Sequence, residues 1–187
     1  MIRSFIAIEI PSDIQSELRK ALNHFKDLTG KISWAKPEGI HITLKFLGDI
    51  QEALIEALQD KLESLAADYQ AFSLVLTGIG AFPNTTYPRV IWVGIQDSSG
   101  SLIKMQQRLE KDLQPLGFVP EERDFSPHLT LGRVKSLQSK GEFLRKINTF
   151  PKFGVNTFVA EKVNLMKSQL TPSGAIYTAL VSVPLCQ

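Results

Sequence analysis

His41-Ile42-Thr43-Leu44 and His128-Leu129-Thr130-Leu131 are two nearly identical tetrapeptides in a chain of 187 residues that contains three histidines. Side chains alternate along a β-strand, so in each copy His and Thr share one face and the two aliphatic residues share the other. Either copy alone would be weak. Together they describe two like strands, each offering an imidazole and a hydroxyl to the same side.

The pattern around each copy extends the likeness. Residues 40–47 alternate as a strand, with Ile40, Ile42, Leu44 and Phe46 on one face and His41, Thr43 and Lys45 on the other. Before it, residues 5–10 read as a buried strand. Pro11-Ser12 then opens a helix carrying Ile14, Leu18, Leu22, Phe25 and Leu28 at spacings of three and four, which Gly30 can end. Residues 34–39 read as a turn-rich approach. After Gly48-Asp49 comes a second amphipathic helix with Leu54, Ile55, Leu58, Leu62 and Leu65, then a strand over 72–79 and a Pro/Asn/Thr loop over 82–88.

The order then begins again. Residues 89–95 read as a strand, 102–116 as a helix with Ile103, Leu109 and Leu113, and 127–134 as the strand holding the second motif. A short helix near 141–147 and a strand near 155–160 follow. A hairpin of 163–170 and 175–183, turning at Thr171-Pro172-Ser173-Gly174, ends the chain. Arg3 lies 38 residues before His41 and Arg89 lies 39 before His128, so the spacing repeats along with the pattern. The expectation is an α+β fold made by duplication: two pseudo-symmetric lobes, units of about 3–80 and 89–160 plus the hairpin 163–183. Two antiparallel-rich sheets with outer helices would then enclose one central cleft.

A phosphodiester held between two imidazoles can be split by in-line displacement. One neutral His takes a proton from the attacking oxygen and one protonated His gives a proton to the leaving oxygen; each such group is worth about 10²–10⁴ in rate. Thr43 and Thr130 can donate hydrogen bonds to the non-bridging oxygens, where charge accumulates. Lys45 and Arg133 are the candidate cations for the phosphate. Strict alternation puts Lys45 on the His41 face and turns Arg133 away from His128, unless the strand bulges after Gly132. These residue types fix the pair of imidazoles and leave open which one donates.

Bulk properties narrow the classes. Hydrophobic residues make up 43% and charged residues 21% of the chain, ordinary values for a folded domain. No apolar run approaches the roughly eighteen residues of a membrane helix, and the first ten residues read as a strand rather than as a signal peptide. Cys186 is the single cysteine, which fits a reducing cytoplasm and no disulfide framework. The net charge of +2 permits a local anion site without broad nucleic-acid coating. Two histidines need a third protein ligand to hold zinc, and no HExxH or paired-Cys spacing is present, so the expectation is a site with no metal and no cofactor.

Residues 34–48 (WAKPEGIHITLKFLG), 125–133 (FSPHLTLGR) and 3–11 (RSFIAIEIP) resemble the two-histidine phosphoesterase superfamily. Within it they resemble the bacterial and archaeal RNA 2′,3′-cyclic phosphodiesterase family, formerly called 2′-5′ RNA ligases. The tail 165–180, with Ser168, Gly174 and Tyr177, is also similar, so the likeness spans nearly the whole chain. The resemblance implies a bilobal fold with both motifs lining the cleft and metal-independent hydrolysis of a terminal 2′,3′-cyclic phosphate to a 2′-phosphate. It implies His41 as proton donor and His128 as proton acceptor. The partner would be an RNA with a 2′,3′-cyclic phosphate end, or a cyclic nucleotide, met by a monomeric cytoplasmic enzyme with no membrane contact.

Other readings weigh against these. A nucleotide- or RNA-end-binding module could keep the cleft and turn nothing over, and the same residues would serve 2′-5′ ligation by microscopic reversibility. Trp34, Phe125 and Tyr177 are candidates for stacking on a base, with core capping as the plainer role. Arg3 and Arg89 read at least as well as surface charge, and His24 as a solvated residue.

Overall fold

The computed structural model describes residues 1–154, 156–172 and 174–187. Among these residues nine antiparallel strands form one curled sheet with four α-helices packed against it. In chain order they are β1 (Ile2–Glu9), α1 (Ser12–Phe25), β2 (Gly30–Trp34), β3 (His41–Ile50), α2 (Ile55–Ala67), β4 (Phe72–Phe82) and β5 (Val90–Gln96). Then come α3 (Ser101–Leu113), β6 (His128–Leu137), α4 (Lys140–Thr149), β7 (Thr157–Ala160), β8 (Lys162–Thr171) and β9 (Gly174–Pro184).

Alternation decides which face of the sheet is covered. Ile6, Ile8 and Ile10 point to the helix side, where α1 buries Ile14, Leu18, Ala21 and Phe25, α2 buries Leu58, Leu62 and Leu65, and α3 buries Leu102, Met105, Leu109 and Leu113. These side chains make one continuous apolar core, the dominant stabilising term in a domain of this size. Phe5 and Ala7 of β1 face the opposite side. There Phe5, Ala7 and Met166 form a small separate cluster with Tyr177 against it.

The strand order β7-β4-β5-β6-β3-β1-β8-β9 makes the sheet two halves meeting at β6 and β3. The two sheets expected from sequence are thus halves of a single sheet, and the seam between them is one register pair, Ile42 opposite Leu129. Each half borrows a strand across the repeat boundary: β4 pairs with β5, and β8 pairs with β1. The terminal hairpin, read from sequence as an addition after the second unit, therefore flanks the first strand of the chain.

Three local readings are corrected. Gly30 does not simply end a helix; it opens β2, a five-residue strand paired along β6 from Leu137 to Gly132. A strand that short, next to a strong helical periodicity, carries too little alternation to be read. His24 is not a solvated residue: its Nε2 meets the Lys146 carbonyl at 2.8 Å and its ring packs edge-on to Phe150, joining α1 to α4. The strand expected from residue 155 begins at Thr157. Val155 and the Ser173 of the expected turn lie outside the described residues.

Candidate active site

β3 and β6 present their motifs in the same way. His41 Nδ1 lies 2.8 Å from the Gly39 carbonyl and His128 Nδ1 lies 2.7 Å from the Ser126 carbonyl, each two residues upstream. A carbonyl oxygen only accepts, so each Nδ1 carries the hydrogen and each Nε2 is left to meet a ligand. Aromatic rings hold the imidazoles in place. Phe5 stacks on His41 at 4.5 Å and Tyr177 meets it edge-on at 5.0 Å, while Phe82 meets His128 edge-on at 4.9 Å.

Burial pushes both imidazoles below their ordinary protonation range, with the Gly39 and Ser126 carbonyls pulling the other way. The positive charge of Arg133 lowers both, and Glu9 raises His41. His128 also bears on His41, so the two rings are near enough to feel each other's charge. His41, Thr43, His128 and Thr130 flank Ile42 and Leu129, the one register pair of the seam among the described residues, and alternation turns them to the face opposite those two buried side chains. Among the described residues neither threonine hydroxyl is engaged in a hydrogen bond, and both are open to a ligand.

The two cations exchange their expected places, and a β-bulge explains both. Against β1, Thr43 pairs with Ala7 and Lys45 with Ile6, which leaves Leu44 as the extra residue. Against β5, Thr130 pairs with Trp92 and Gly132 with Ile91, which leaves Leu131 as the extra residue. An extra residue reverses the alternation beyond it. Lys45 is therefore turned to the helix side, 3% exposed, with Nζ 2.6 Å from Glu110 of α3 and 2.9 Å from the Val119 carbonyl. Lys45 thus points away from the motif face, against the expected place beside His41. Arg133, on the same side as Thr130 and exposed, has no carboxylate partner among the described residues.

Phe46 occupies the position in β3 that Arg133 holds in β6 and is 58% exposed, 6.2 Å from Phe5. Strict alternation had placed it in the core. No periodicity within β3 signals this reversal; it follows from the pairing of β3 with β1. Of the aromatic candidates, Tyr177 stands at the site. Trp34 lies over Gly132, where a Cβ would come within 2.7 Å of its ring, and Phe125 packs on the core. Arg3 and Arg89 are exposed. A cavity of about 280 Å³ opens beside His41, with Glu9, Gln15, Glu38, Lys162 and Tyr177 in its wall. Among the described residues no three His, Cys, Asp or Glu side chains gather as a metal site would require.

Two imidazoles that offer Nε2, two hydroxyls and a guanidinium thus stand about one strand seam, an arrangement suited to phosphoester chemistry. The chain belongs to the LigT-like phosphoesterase family, whose model matches it twice, over residues 8–92 and 93–177. It is 37% identical to an RNA 2′,3′-cyclic phosphodiesterase of Methanocaldococcus jannaschii, covering 96% of this chain and 98% of that one. A second such protein, from Methanothermobacter thermautotrophicus, is 30% identical over 95% of each chain. The crystal structure of E. coli LigT complexed with 3′-AMP superposes with a TM-score of 0.81 at 26% identity, covering 100% of this chain and 99% of that chain.

Proposed function

We propose that this chain hydrolyses the 2′,3′-cyclic phosphate at an RNA end, or in a nucleoside cyclic phosphate, to a 2′-phosphate, with His41 as proton donor and His128 as proton acceptor. The observation that carries this reading is the matched presentation of two Nε2 atoms from opposite sides of one seam. Water enters on the His128 side and gives its proton to His128 Nε2 as its oxygen bonds to phosphorus. The P–O3′ bond breaks on the far side, and His41 Nε2–H protonates the departing 3′-oxygen. The products are a 2′-phosphate and a free 3′-hydroxyl, with both imidazoles restored by exchange of one proton with solvent. Thr43, Thr130 and Arg133 hold the non-bridging oxygens, where charge is carried as the bonds change.

Both histidines come from one chain, which supports action as a monomer. A free, exposed cysteine, Cys186, suits a reducing cytoplasm. No helix among the described residues is long and apolar enough to cross a membrane. The names of the relatives support RNA as the substrate class.

The test is a short RNA ending in a 2′,3′-cyclic phosphate, incubated with the protein in EDTA and analysed for the position of the product phosphate. Multiple turnover to a 2′-phosphate is expected. Binding without turnover would replace this reading with an RNA-end-binding module, and a 3′-phosphate product would reverse the bond assigned to His41.

A further inference from the structure

The pseudo-twofold relation is close along the motif strands, and it fails at one position that bears on the chemistry. In β1, Glu9 is the register partner of His41, Ile8 of Ile42 and Ala7 of Thr43. In β5, Gly94 is the partner of His128, Val93 of Leu129 and Trp92 of Thr130. Glu9 and Gly94 are therefore equivalent positions, and one imidazole faces a carboxylate where the other faces a glycine. The difference is built in on both sides. Thr77 Oγ1 fills the place that a Cβ on Gly94 would need. The Glu9 carboxylate is fixed by Asn164 Nδ2, a fully buried side chain, at 2.9 Å and by Lys162 Nζ at 2.8 Å.

We infer that Glu9 is the positioning residue that makes His41, rather than His128, the proton donor of the pair. This rests on the hydrolytic reading above. An anion beside an imidazole favours its protonated form, and a glycine at the matched place leaves the second ring to act as the base. Two like rings thereby acquire unlike tasks, which acid–base catalysis requires and which sequence symmetry alone denies.

The charged neighbours of His41 come from several elements. Arg133 and His128 on β6 disfavour its charge, and Glu9 on β1 favours it. Tyr177 on β9 offers a ring edge. Lys162 on β8 acts through its ion pair with Glu9, and Glu38 and Glu161 stand in the wall of the shared cavity. Glu9 is thus the carboxylate, among those present, that acts on the His41 ring and has no counterpart at His128.

The experiment pairs NMR titration of the three histidines with kcat/KM against pH, in wild type, Glu9→Gln and Lys162→Met. Glu9→Gln should move the His41 titration to lower pH and leave His128 in place, and Lys162→Met, which bares the carboxylate, should move His41 the other way. Opposite signs from the two variants are not the mark of a merely structural role. Well above both titrations the active fraction depends only on how strongly the donor holds its proton. Well below both, it depends only on the acceptor. Glu9→Gln should therefore cost about threefold in kcat/KM on the alkaline side, the factor a unit charge some ångströms away is worth in a largely solvated setting, and leave the acid side unchanged. A His41 titration unmoved by either variant would overturn the inference, whatever the activity. A moved titration with a gain on the acid side would also overturn it, because His41 would then be the acceptor. Lack of any turnover by wild type, with the titration shifts intact, would instead count against the hydrolytic reading.

Discussion

Ile42 stands opposite Leu129 in the one register pair that joins β3 to β6 among the described residues. Both are fully buried, and each is the second residue of its motif. The pseudo-twofold axis therefore passes between them, and His41, Thr43, His128 and Thr130 are disposed about it. A single pair also means that the two strands part on either side. Each continues its pairing with other strands, β1 for β3 and β2 and β5 for β6, which leaves the motif face open as a cleft.

On the proposed function the threonines face the phosphate and have little structural duty. Thr43→Val and Thr130→Val keep the β-branched shape and remove one donor to the phosphate. Each should lower kcat by about 10²-fold, the scale of losing one donor to developing charge, with the midpoint of thermal unfolding nearly unchanged. Equal losses of stability and of turnover would assign them to the strand instead.

The two cations separate in the same way. Lys45→Met should cost on the order of 3 kcal/mol of stability by urea unfolding, because it strands the largely buried Glu110 carboxylate. KM per folded molecule should not move. Arg133→Met should leave the unfolding midpoint in place and lower kcat/KM about 10²-fold through loss of a charge-assisted contact to phosphate. A rise in KM for Lys45→Met would return that lysine to the phosphate.

How much of this was legible follows from the same bulge. Helices α1, α2 and α3 were readable because apolar residues recur at three and four, and β3 and β6 because they alternate through the motif. One extra residue at Leu44 and at Leu131 then reversed the alternation, sending Lys45 into the core and bringing Phe46 and Arg133 to the surface. No single-strand periodicity contains that information; it resides in the pairing with β1 and β5. The strand exchange of β4 and β8 is equally invisible along the chain, since it is a choice of neighbours. Glu9 lies in a stretch that reads in sequence as a buried strand, and its place beside His41 comes only from the register of β1 with β3.

Both imidazoles are held below the usual value of 6.5 by burial, so the folded chain binds fewer protons than the unfolded chain as pH falls past that value. Stability should be flat above about pH 7.5 and should decline from 6.5 down to the lowered folded values, then level off. Urea titrations at pH 8, 6.5 and 5 measure it. His41→Asn and His128→Asn should each flatten part of the decline. A chain more stable at pH 5 than at pH 8 would contradict the direction of both shifts.

The division of labour between the histidines is tested most directly by a substrate whose 3′-leaving oxygen is replaced by sulfur. A thiolate departs without a proton, so the general acid becomes dispensable while the general base does not. His41→Ala should be severely impaired on the oxygen substrate and recover to near wild-type turnover on the sulfur one, and His128→Ala should remain impaired on both. Recovery of His128→Ala with no recovery of His41→Ala would contradict the account.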